Sequence, residues 1–298
     1  MTAWHIGVIG GSGLYDAGEL DEAQEIAVAS AFGEPSGPVV TGRIGAVRFT
    51  FIARHGAGHH LSPSKVNYRA NIDVLKRCGV SDIMAISAIG SLKEELAPGT
   101  FVAVDQFIDR TVGRERSFFG DGIAAHVPLA DPVCPRLAGM AVAAARSAGA
   151  TVHEGGTYVA IEGPQFSTRA ESRLYQSWGA DVIGMTAMPE VRLAREAELP
   201  YALLGMVTDY DCWREATGDV AVSDILAVMS ANADLARATL HWLAGALPAT
   251  RAPSPIDHVL DTAIITPRDQ WAPAAVARLD AVARRVLQTV PQKGDAGR

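Results

Sequence analysis

The chain has 298 residues, of which 48% are hydrophobic and 20% are charged. This share of apolar side chains excludes an intrinsically disordered protein, because it is enough to build a large core. The formal net charge of −7, from 26 basic and 33 acidic residues, argues against a nucleic-acid-binding protein, which would normally present a basic surface.

Short apolar segments that end in glycine or in polar turns alternate along the chain with segments of helical periodicity. The apolar segments predict seven β-strands, at residues 5–9, 47–53, 82–87, 101–104, 158–161, 181–185 and 201–207. Helices are predicted at residues 64–78, 135–148, 168–179 and 189–199, and Thr168 and Glu171 have the spacing of a capping box. Strands that are apolar throughout and alternate with helices predict an α/β fold with a sheet buried on both faces.

The proline-rich residues 247–255 are typical of a linker, because proline stiffens the chain and cannot donate a helical hydrogen bond. We therefore divide the chain into an α/β domain, residues 1–247, and a linker with a C-terminal extension, residues 248–298. Residues 275–290 predict an amphipathic helix that packs on the domain or on a neighbouring copy. The last eight residues, 291–298, are predicted to be disordered.

The three cysteines, Cys78, Cys134 and Cys212, are widely spaced and form no C-x-x-C motif. This pattern argues against a disulfide framework and a cysteine zinc site, and it fits a reducing compartment. We find neither a secretory signal at the start of the sequence nor an apolar stretch of roughly 20 residues. These features predict a cytoplasmic protein that does not associate with membranes.

A glycine-rich loop, Ile9-Gly10-Gly11-Ser12-Gly13-Leu14, follows the first predicted strand. Its backbone N–H groups and the Ser12 hydroxyl can bind an anion. The loop lacks the glycine spacing of a dinucleotide-binding fingerprint, the Gly-Lys-Ser/Thr of a Walker loop and the second glycine of a nucleophile elbow. Taken alone, it is interpreted equally well as a tight turn without a ligand.

Polar side chains also follow later predicted strands. Arg54 and His55 follow the strand at 47–53, and Ser87 and Thr186 lie at the ends of two others. Arginine offers a fixed fork of donors that matches phosphate. Because ligands of open α/β sheets collect at the carboxyl ends of strands, we expect these residues and Ser12 to share one anion pocket, although each hydroxyl alone is typical of a turn or cap.

Two carboxylates, Asp209 and Asp211, follow the strand at 201–207 and point to the same side of an extended chain. They fit a metal site, an acid–base pair, the N7 and amino edge of a purine, or a simple loop cap. A metal site that also used His55 and His59 is the least favoured of these, as is one made by the histidines of residues 55–60 alone.

Taken together and in this order, the motifs resemble those of the 5′-methylthioadenosine phosphorylases, members of the trimeric purine nucleoside phosphorylase family. The resemblance extends from about residue 4 to residue 245 and more weakly to Pro267-Arg268. Besides the glycine loop, the motifs that carry it are Arg54-His55-Gly56, Pro63-Ser64-Lys65-Val66-Asn67-Tyr68, Asp105-Gln106-Phe107-Ile108-Asp109-Arg110-Thr111, Ile161-Glu162-Gly163-Pro164-Gln165-Phe166-Ser167-Thr168-Arg169-Ala170-Glu171 and Thr208-Asp209-Tyr210-Asp211-Cys212-Trp213.

The resemblance implies a single domain with a central mixed β-sheet flanked by helices, and it implies site residues by position. The residues that match the phosphate site are Ser12, Arg54, His55, Ser87, Ala88 and Thr186. The residues that match the nucleoside site are Phe166 on the purine, Ile183, Met185 at the ribose, Asp209 and Asp211 at N7 and the 6-amino group, and Val222, Ile225 and Leu226 around the 5′ substituent. His126, and less clearly Ile265, match residues contributed by the neighbouring subunit of a homotrimer.

The chain departs from the animal members of this family in three places. Ser87 stands where they usually have threonine, and Gly184 replaces an asparagine beside Met185. Beyond Asp269 the chain continues for 29 residues that the animal enzymes lack.

The function implied is reversible phosphorolysis of 5′-methylthioadenosine to adenine and 5-methylthioribose 1-phosphate, with Asp209 and Asp211 as the catalytic residues. Inorganic phosphate would be a co-substrate, with no metal or other cofactor and no nucleic-acid partner. The alternatives are another 5′ substituent (5′-deoxy- or 5′-halo-adenosine), a 6-oxopurine nucleoside, hydrolysis in place of phosphorolysis, and a non-catalytic nucleoside-binding module.

Overall fold

The computed structural model of the chain describes residues 3–11, 14, 20–214 and 222–288, the side chains of residues 222–227 and 229 excepted. The strands are β1 His5–Gly10, β2 Asp21–Ile26, β3 Val39–Ile44, β4 Val47–Ala53, β5 Asp82–Ser91, β6 Phe101–Val104, β7 Gln106–Asp109, β8 Val152–Glu154, β9 Thr157–Ala160, β10 Val182–Gly184 and β11 Tyr201–Tyr210. The α-helices are α1 Tyr68–Arg77, α2 Pro135–Ser147, α3 Arg169–Ser177, α4 Ala187–Glu196, α5 Val222–Ala246, α6 Pro273–Arg278 and α7 Arg284–Gln288.

All of these strands belong to one mixed sheet, in which β5 is the central strand. The main path of the sheet runs β2-β3-β4-β1-β5-β10-β9-β7, and β11 pairs with β5 and with β6, which in turn pairs with β8. Strands β1, β4, β5 and β11 are parallel neighbours, whereas β10 runs antiparallel to the end of β5. The expectation of an α/β fold with a central mixed sheet is therefore confirmed.

Helices cover both faces of the sheet. Along β5, Ile83 and Ala85 face a core shared with α1 and α4, whereas Met84 and Ile86 face a core shared with α2 and α5. Successive side chains of a strand point to opposite faces, so the unbroken apolar run of residues 83–86 is what a doubly covered sheet requires.

The seven predicted strands are all present, and β5 and β11 extend beyond their predicted ends to Ser91 and Tyr210. The four predicted helices of the domain are α1 to α4, and α3 begins with the predicted capping box. Helix α1 begins later than predicted, because residues Pro63–Lys65 form a separate 3-10 turn and the Asn67 side chain caps the helix by accepting from the Ala70 N–H at 3.1 Å.

Four strands and one helix of the structure were not predicted from the periodicity of the sequence. Strand β2, with the sequence DEAQEI, is exposed at every position, and β8 has only three residues, so neither carries an apolar pattern. Strands β3 and β7 and the long helix α5 were likewise not predicted. Three of the four missed strands, β2, β7 and β8, lie at edges of the sheet, whereas β3 lies between β2 and β4.

The single helix predicted at residues 275–290 is wrong, since the described part of this segment forms α6 and α7 with a turn between them. In that turn Leu279, Ala281, Val282 and Ala283 are all buried. A surface helix buries only one stripe of its residues, so it could not bury three consecutive ones here. The predicted disorder of residues 291–298 lies outside the described residues.

Residues after the linker pack on the same core as the sheet and the helices. Leu260 and Leu279 belong to the hydrophobic cluster that contains Ile9 of β1 and Ile72 of α1. Arg251 also pairs with the buried carboxylate of Asp82, at the start of β5. Within the described residues, no helix is long and apolar enough to cross a membrane.

Candidate active site

A cavity of about 320 Å³ lies at the carboxyl ends of β4, β5 and β11 and beside β10. This is the edge at which ligands of open α/β sheets bind, and the volume is in the range of small-molecule sites. Ten of the site residues predicted from the sequence line the cavity, and they come from widely separated segments. They are Arg54, His55, Ser87, Ala88, Phe166, Ile183, Met185, Thr186, Asp209 and Asp211.

The remaining predicted residues are not placed in the cavity. Ser12 lies outside the described residues, and so do the side chains of Val222, Ile225 and Leu226, which the sequence places at the start of α5. His126 is exposed and does not line the cavity. Its segment pairs with the segment of Ile265, since the His126 N–H donates to the carbonyl of Ala263 at 2.8 Å and the Ile265 N–H donates to that of Ala124 at 3.0 Å.

Arg54 is fixed by a buried ion pair with Glu190, although β4 and α4 are far apart in sequence. We call the part of the cavity lined by Arg54, His55, Ser87 and Thr186 the anion end, after the pocket predicted from the sequence. Arg54 Nε donates to Glu190 Oε2 at 2.7 Å and its Nη2 to Oε1 at 3.0 Å, and both side chains are 2% exposed. Further bonds to the carbonyls of Ile86 and Ile9 bring the number of engaged N–H groups to four of the five. Burial by itself would lower the pKa of Arg54, but the Glu190 carboxylate outweighs it and raises this pKa, so the guanidinium stays charged.

Glu190 is a functional residue that the sequence did not reveal. It lies within a predicted helix, where an acidic residue normally faces solvent. In the structure it is buried between Arg54 and the Tyr201 hydroxyl, which donates to Oε1 at 2.9 Å. No local signal marks such a residue, because its partner is 136 positions away.

His55 is neutral and oriented. Its Nδ1 lies 2.8 Å from the carbonyl oxygen of Leu61, so Nδ1 carries the proton and Nε2 is left with a lone pair. Burial lowers the pKa of His55 to about 4, a shift that the neighbouring Arg54 charge reinforces. The ring stacks on His59, another cavity residue, with centroids 4.0 Å apart.

Ser87 and Thr186 bring two hydroxyl groups together at the anion end, 3.1 Å apart. Thr186 follows β10, and its N–H donates to the hydroxyl of Tyr158 at 3.3 Å. That hydroxyl explains Gly184, because a Cβ at position 184 would lie 2.1 Å from it. The space that a side chain at position 184 would need is therefore filled by Tyr158.

At the other end of the cavity, a β-bulge places Asp209. The pairing of β11 with β5 shifts by one residue between Val207 and Asp209, so that Thr208 is extra in the ladder. Thr208 donates to Asp209 Oδ1 at 2.6 Å, while Oδ2 lies over Gly90. Burial raises the pKa of Asp209, which favours the protonated form of this carboxyl at pH values where an exposed aspartate is ionised.

Asp211 lies on the same side as Asp209, as the alternation of an extended chain predicts, and both line the cavity. The hydroxyl of Ser172, on α3, donates to Asp211 Oδ2. Burial raises the pKa of Asp211 although this hydrogen bond opposes the shift. Ser172 was not identified from the sequence, in which it is one of several polar residues of a predicted helix.

Two neighbouring residues complete the wall of this end. Phe166 is 56% exposed and lines the cavity with an open aromatic face. The Ser167 hydroxyl is buried at the cavity and has no hydrogen-bond partner within the described part of the chain. A buried hydroxyl without a partner is costly, so it is a candidate ligand contact that sequence reasoning missed.

Comparisons with known proteins show the family of the chain. Residues 5–243 match the model of the phosphorylase superfamily. A relative from Bradyrhizobium diazoefficiens, named S-methyl-5′-thioadenosine phosphorylase, is 53% identical over 290 residues, which are 97% of this chain and 100% of the relative.

Two solved structures of methylthioadenosine phosphorylases are also similar to this chain in sequence and in fold. The crystal structure of a methylthioadenosine phosphorylase from an antarctic soil metagenomic library is 42% identical and superposes with a TM-score of 0.90, covering 95% of this chain and 99% of that one. The methylthioadenosine phosphorylase of Schistosoma mansoni in complex with adenine is 38% identical with a TM-score of 0.78, covering 81% and 91%.

Replacing Glu190 by glutamine keeps the shape of the side chain and removes its charge. We expect the free energy of unfolding to fall by about 3–5 kcal/mol, because the Arg54 charge then lies buried without a counter-charge. Urea denaturation measures this loss. Tyr201→Phe, which removes the hydroxyl that donates to the Glu190 carboxylate but keeps the ion pair, is the matched control and should cost less, about 1.5–3 kcal/mol. An equal loss in both variants would contradict the role given to the ion pair.

Titration of the His55 imidazole by NMR should give a pKa of about 4 in phosphate-free protein. The unfolded chain protonates this group near pH 6.5. The unfolded state therefore binds more protons between pH 6.5 and 4, and His55 makes the folded state less stable as the pH falls through that window. Bound phosphate should raise the pKa of His55, because an anion favours the imidazolium. A pKa at or above 6.5 without phosphate would be inconsistent with the buried, neutral ring.

Proposed function

The chain belongs to the phosphorylase superfamily, and from this premise we propose that it catalyses reversible phosphorolysis of 5′-methylthioadenosine to adenine and 5-methylthioribose 1-phosphate. It is a phosphorylase and therefore a pentosyltransferase. The observation that carries the substrate assignment is that a single cavity has Arg54, His55, Ser87 and Thr186 at one end and Asp209 and Asp211 at the other. A nucleoside that lies between the two ends presents its anomeric carbon to the first and its base to the second.

At the anion end, phosphate is both the nucleophile and the counter-charge for the sugar. The transition state of glycosidic cleavage resembles an oxocarbenium ion, so an anion held under the ring stabilises it. Arg54 and the hydroxyls of Ser87 and Thr186 donate hydrogen bonds to phosphate, whereas the free Nε2 of His55 accepts from a protonated phosphate oxygen. No protein nucleophile takes part. The proposal includes no metal or organic cofactor, because phosphate itself supplies the attacking oxygen.

At the base end, Asp209 acts as the acid for the leaving purine. Its Oδ1 is engaged by Thr208, which leaves Oδ2 to donate a proton to N7. Asp211, oriented by Ser172, accepts a hydrogen bond from the 6-amino group. A 6-oxopurine would place an acceptor opposite this acceptor, and a buried mismatch of this kind is strongly rejected. The arrangement therefore favours adenine nucleosides over inosine.

We assign the ribose contact to Met185 and the purine contact to Phe166, whose exposed ring stacks on the base, with Ile183 completing the nucleoside wall. Ala88, beside Ser87, belongs to the phosphate end. The 5′ substituent is assigned to the apolar side chains of Val222, Ile225 and Leu226. Support comes from Ala233 of the same helix, which lines the cavity.

The proposal includes a homotrimer in which His126 and Ile265 of one subunit complete the 5′ pocket of the next. Two observations support it: these residues lie on paired segments, and both are exposed away from their own cavity. Light scattering of the purified chain should then give three times the mass of one chain, and a monomer with full activity would refute this part.

The setting proposed is purine and methionine salvage in the cytoplasm, which the three unpaired cysteines fit.

The test of the function is release of the free base, adenine from 5′-methylthioadenosine, 5′-deoxyadenosine, a 5′-halo-adenosine and adenosine and hypoxanthine from inosine, each with and without phosphate. We expect release that requires phosphate and is fastest with 5′-methylthioadenosine. Release without phosphate would indicate hydrolysis, binding without release would indicate a nucleoside-binding module, and preference for inosine would overturn the assignment of Asp211.

Replacing Asp209 by asparagine should lower kcat by about 10²–10⁴, because the proton for the leaving base is lost. Asp211→Asn keeps that acid and is the matched variant, since it should mainly reduce the preference for adenosine over inosine. Steady-state rates with both nucleosides measure the two effects. A loss of less than about tenfold in Asp209→Asn would remove Asp209 from the role of acid.

A further inference from the structure

Arg114 is a second buried arginine near the cavity, but it does not line it. Its side chain is 2% exposed, and the residue lies in the loop that follows β7. It is part of no motif singled out in the sequence, and the reaction proposed above does not use it. Its hydrogen bonds nevertheless end on the backbone that forms the cavity wall.

The guanidinium of Arg114 joins two segments of that wall. Nη1 donates to the carbonyl oxygens of Met185 and Met188, at 2.6 Å each, and so holds the turn after β10. Nη2 donates to the carbonyl oxygen of Glu162 at 2.8 Å and so holds the segment after β9. The first segment carries Met185, and the second leads directly to Phe166.

The charge of Arg114 is balanced by Glu162, which lies at the same junction. Arg114 Nε donates to Glu162 Oε1 at 3.2 Å, and Nη1 also reaches the Tyr68 hydroxyl at 3.1 Å. The Glu162 carboxylate in turn accepts from the Ser64 hydroxyl and from the Val112 N–H. The planar guanidinium of Arg114 thus donates to carbonyl oxygens of two segments and to one carboxylate. The single ammonium of a lysine cannot reproduce this set of hydrogen bonds.

We propose that Arg114 is a positioning residue for the nucleoside: it fixes the carbonyl side of Met185 relative to the segment of Phe166, and so sets the distance between the ribose contact and the purine contact. The inference rests on the proposed function for the identity of the ligand. Arg54 and His55 follow β4 and have other hydrogen-bond partners, so Arg114 acts on them only through its charge, which adds slightly to the lowering of the His55 pKa. The phosphate contacts other than Thr186 are therefore not positioned by Arg114.

The experiment compares Arg114→Met and Arg114→Lys with the wild-type chain, with Arg195→Met as the matched control. Arg195 is also a buried arginine that donates to backbone carbonyls, those of Pro128 and Asp131, but neither these residues nor Arg195 lines the cavity. The readouts are the KM for 5′-methylthioadenosine, the KM for phosphate, kcat, and the Kd of the nucleoside by calorimetry.

We expect both Arg114 variants to raise the KM and Kd of the nucleoside by about 10- to 100-fold, because a misplacement of about 1 Å has effects of this size. The KM for phosphate should change much less, and Arg195→Met should leave all four values near those of the wild type. In a further variant, Arg114→Ala, added guanidinium should restore part of the nucleoside affinity.

Equal increases in the two KM values, or the same pattern in Arg195→Met, would overturn the inference and make Arg114 a general structural residue. If Arg114→Met does not fold, Arg114→Lys decides the question, because it keeps the charge and most of the volume. If the wild-type chain binds the nucleoside without releasing adenine, the proposed function fails, but the Kd comparison still tests the positioning role.

Discussion

The site depends on one interaction, the buried ion pair between Arg54 and Glu190. A guanidinium at 2% exposure is stable only with a counter-charge, and the pair ties the end of β4 to helix α4 through two hydrogen bonds. In the proposed reaction, phosphate therefore meets directed hydrogen-bond donors more than a net positive field, because the charge of Arg54 is already compensated by Glu190. Phosphate bound in this way remains negatively charged and can stabilise the cation that develops on the sugar in the transition state. Interactions that are stronger in the transition state than in the ground state are the ones that accelerate a reaction.

The cavity is thus organised by two buried arginines, each with its own glutamate. Arg54 with Glu190 holds the strand ends at the phosphate side, and Arg114 with Glu162 holds the two wall segments at the nucleoside side. In both cases further N–H groups donate to backbone carbonyls, and the four bonds of Arg54 leave one of its five N–H groups for a ligand. The planar fork of arginine suits this task because several fixed donors leave little freedom to the segments it joins.

The base end is organised by the backbone. The bulge at Thr208 places one more residue in β11 than in the facing stretch of β5, and the extra hydroxyl engages Asp209 while leaving its other oxygen at the cavity. The glycine at position 184 is explained by packing, because the Tyr158 hydroxyl occupies the space that a Cβ would need. Tyr158 belongs to the neighbouring strand β9, so the packing of β9 against β10 decides this position.

The sequence by itself determined the fold class, seven of the eight inner strands and the capping box that begins α3, because periodicity and turn chemistry are local properties. The order of its motifs, through the family resemblance, also gave ten residues that line the cavity. The sequence missed β2 and β8, which bury too little to show a pattern, and it joined α6 to α7. Only the tertiary structure decided the roles of Glu190, Ser172 and Arg114, the bulge at Thr208 and the conflict that keeps position 184 a glycine. Each depends on partners that sheet register and helix packing bring together from distant positions, up to 136 residues apart for Arg54 and Glu190, and no local pattern encodes such a meeting.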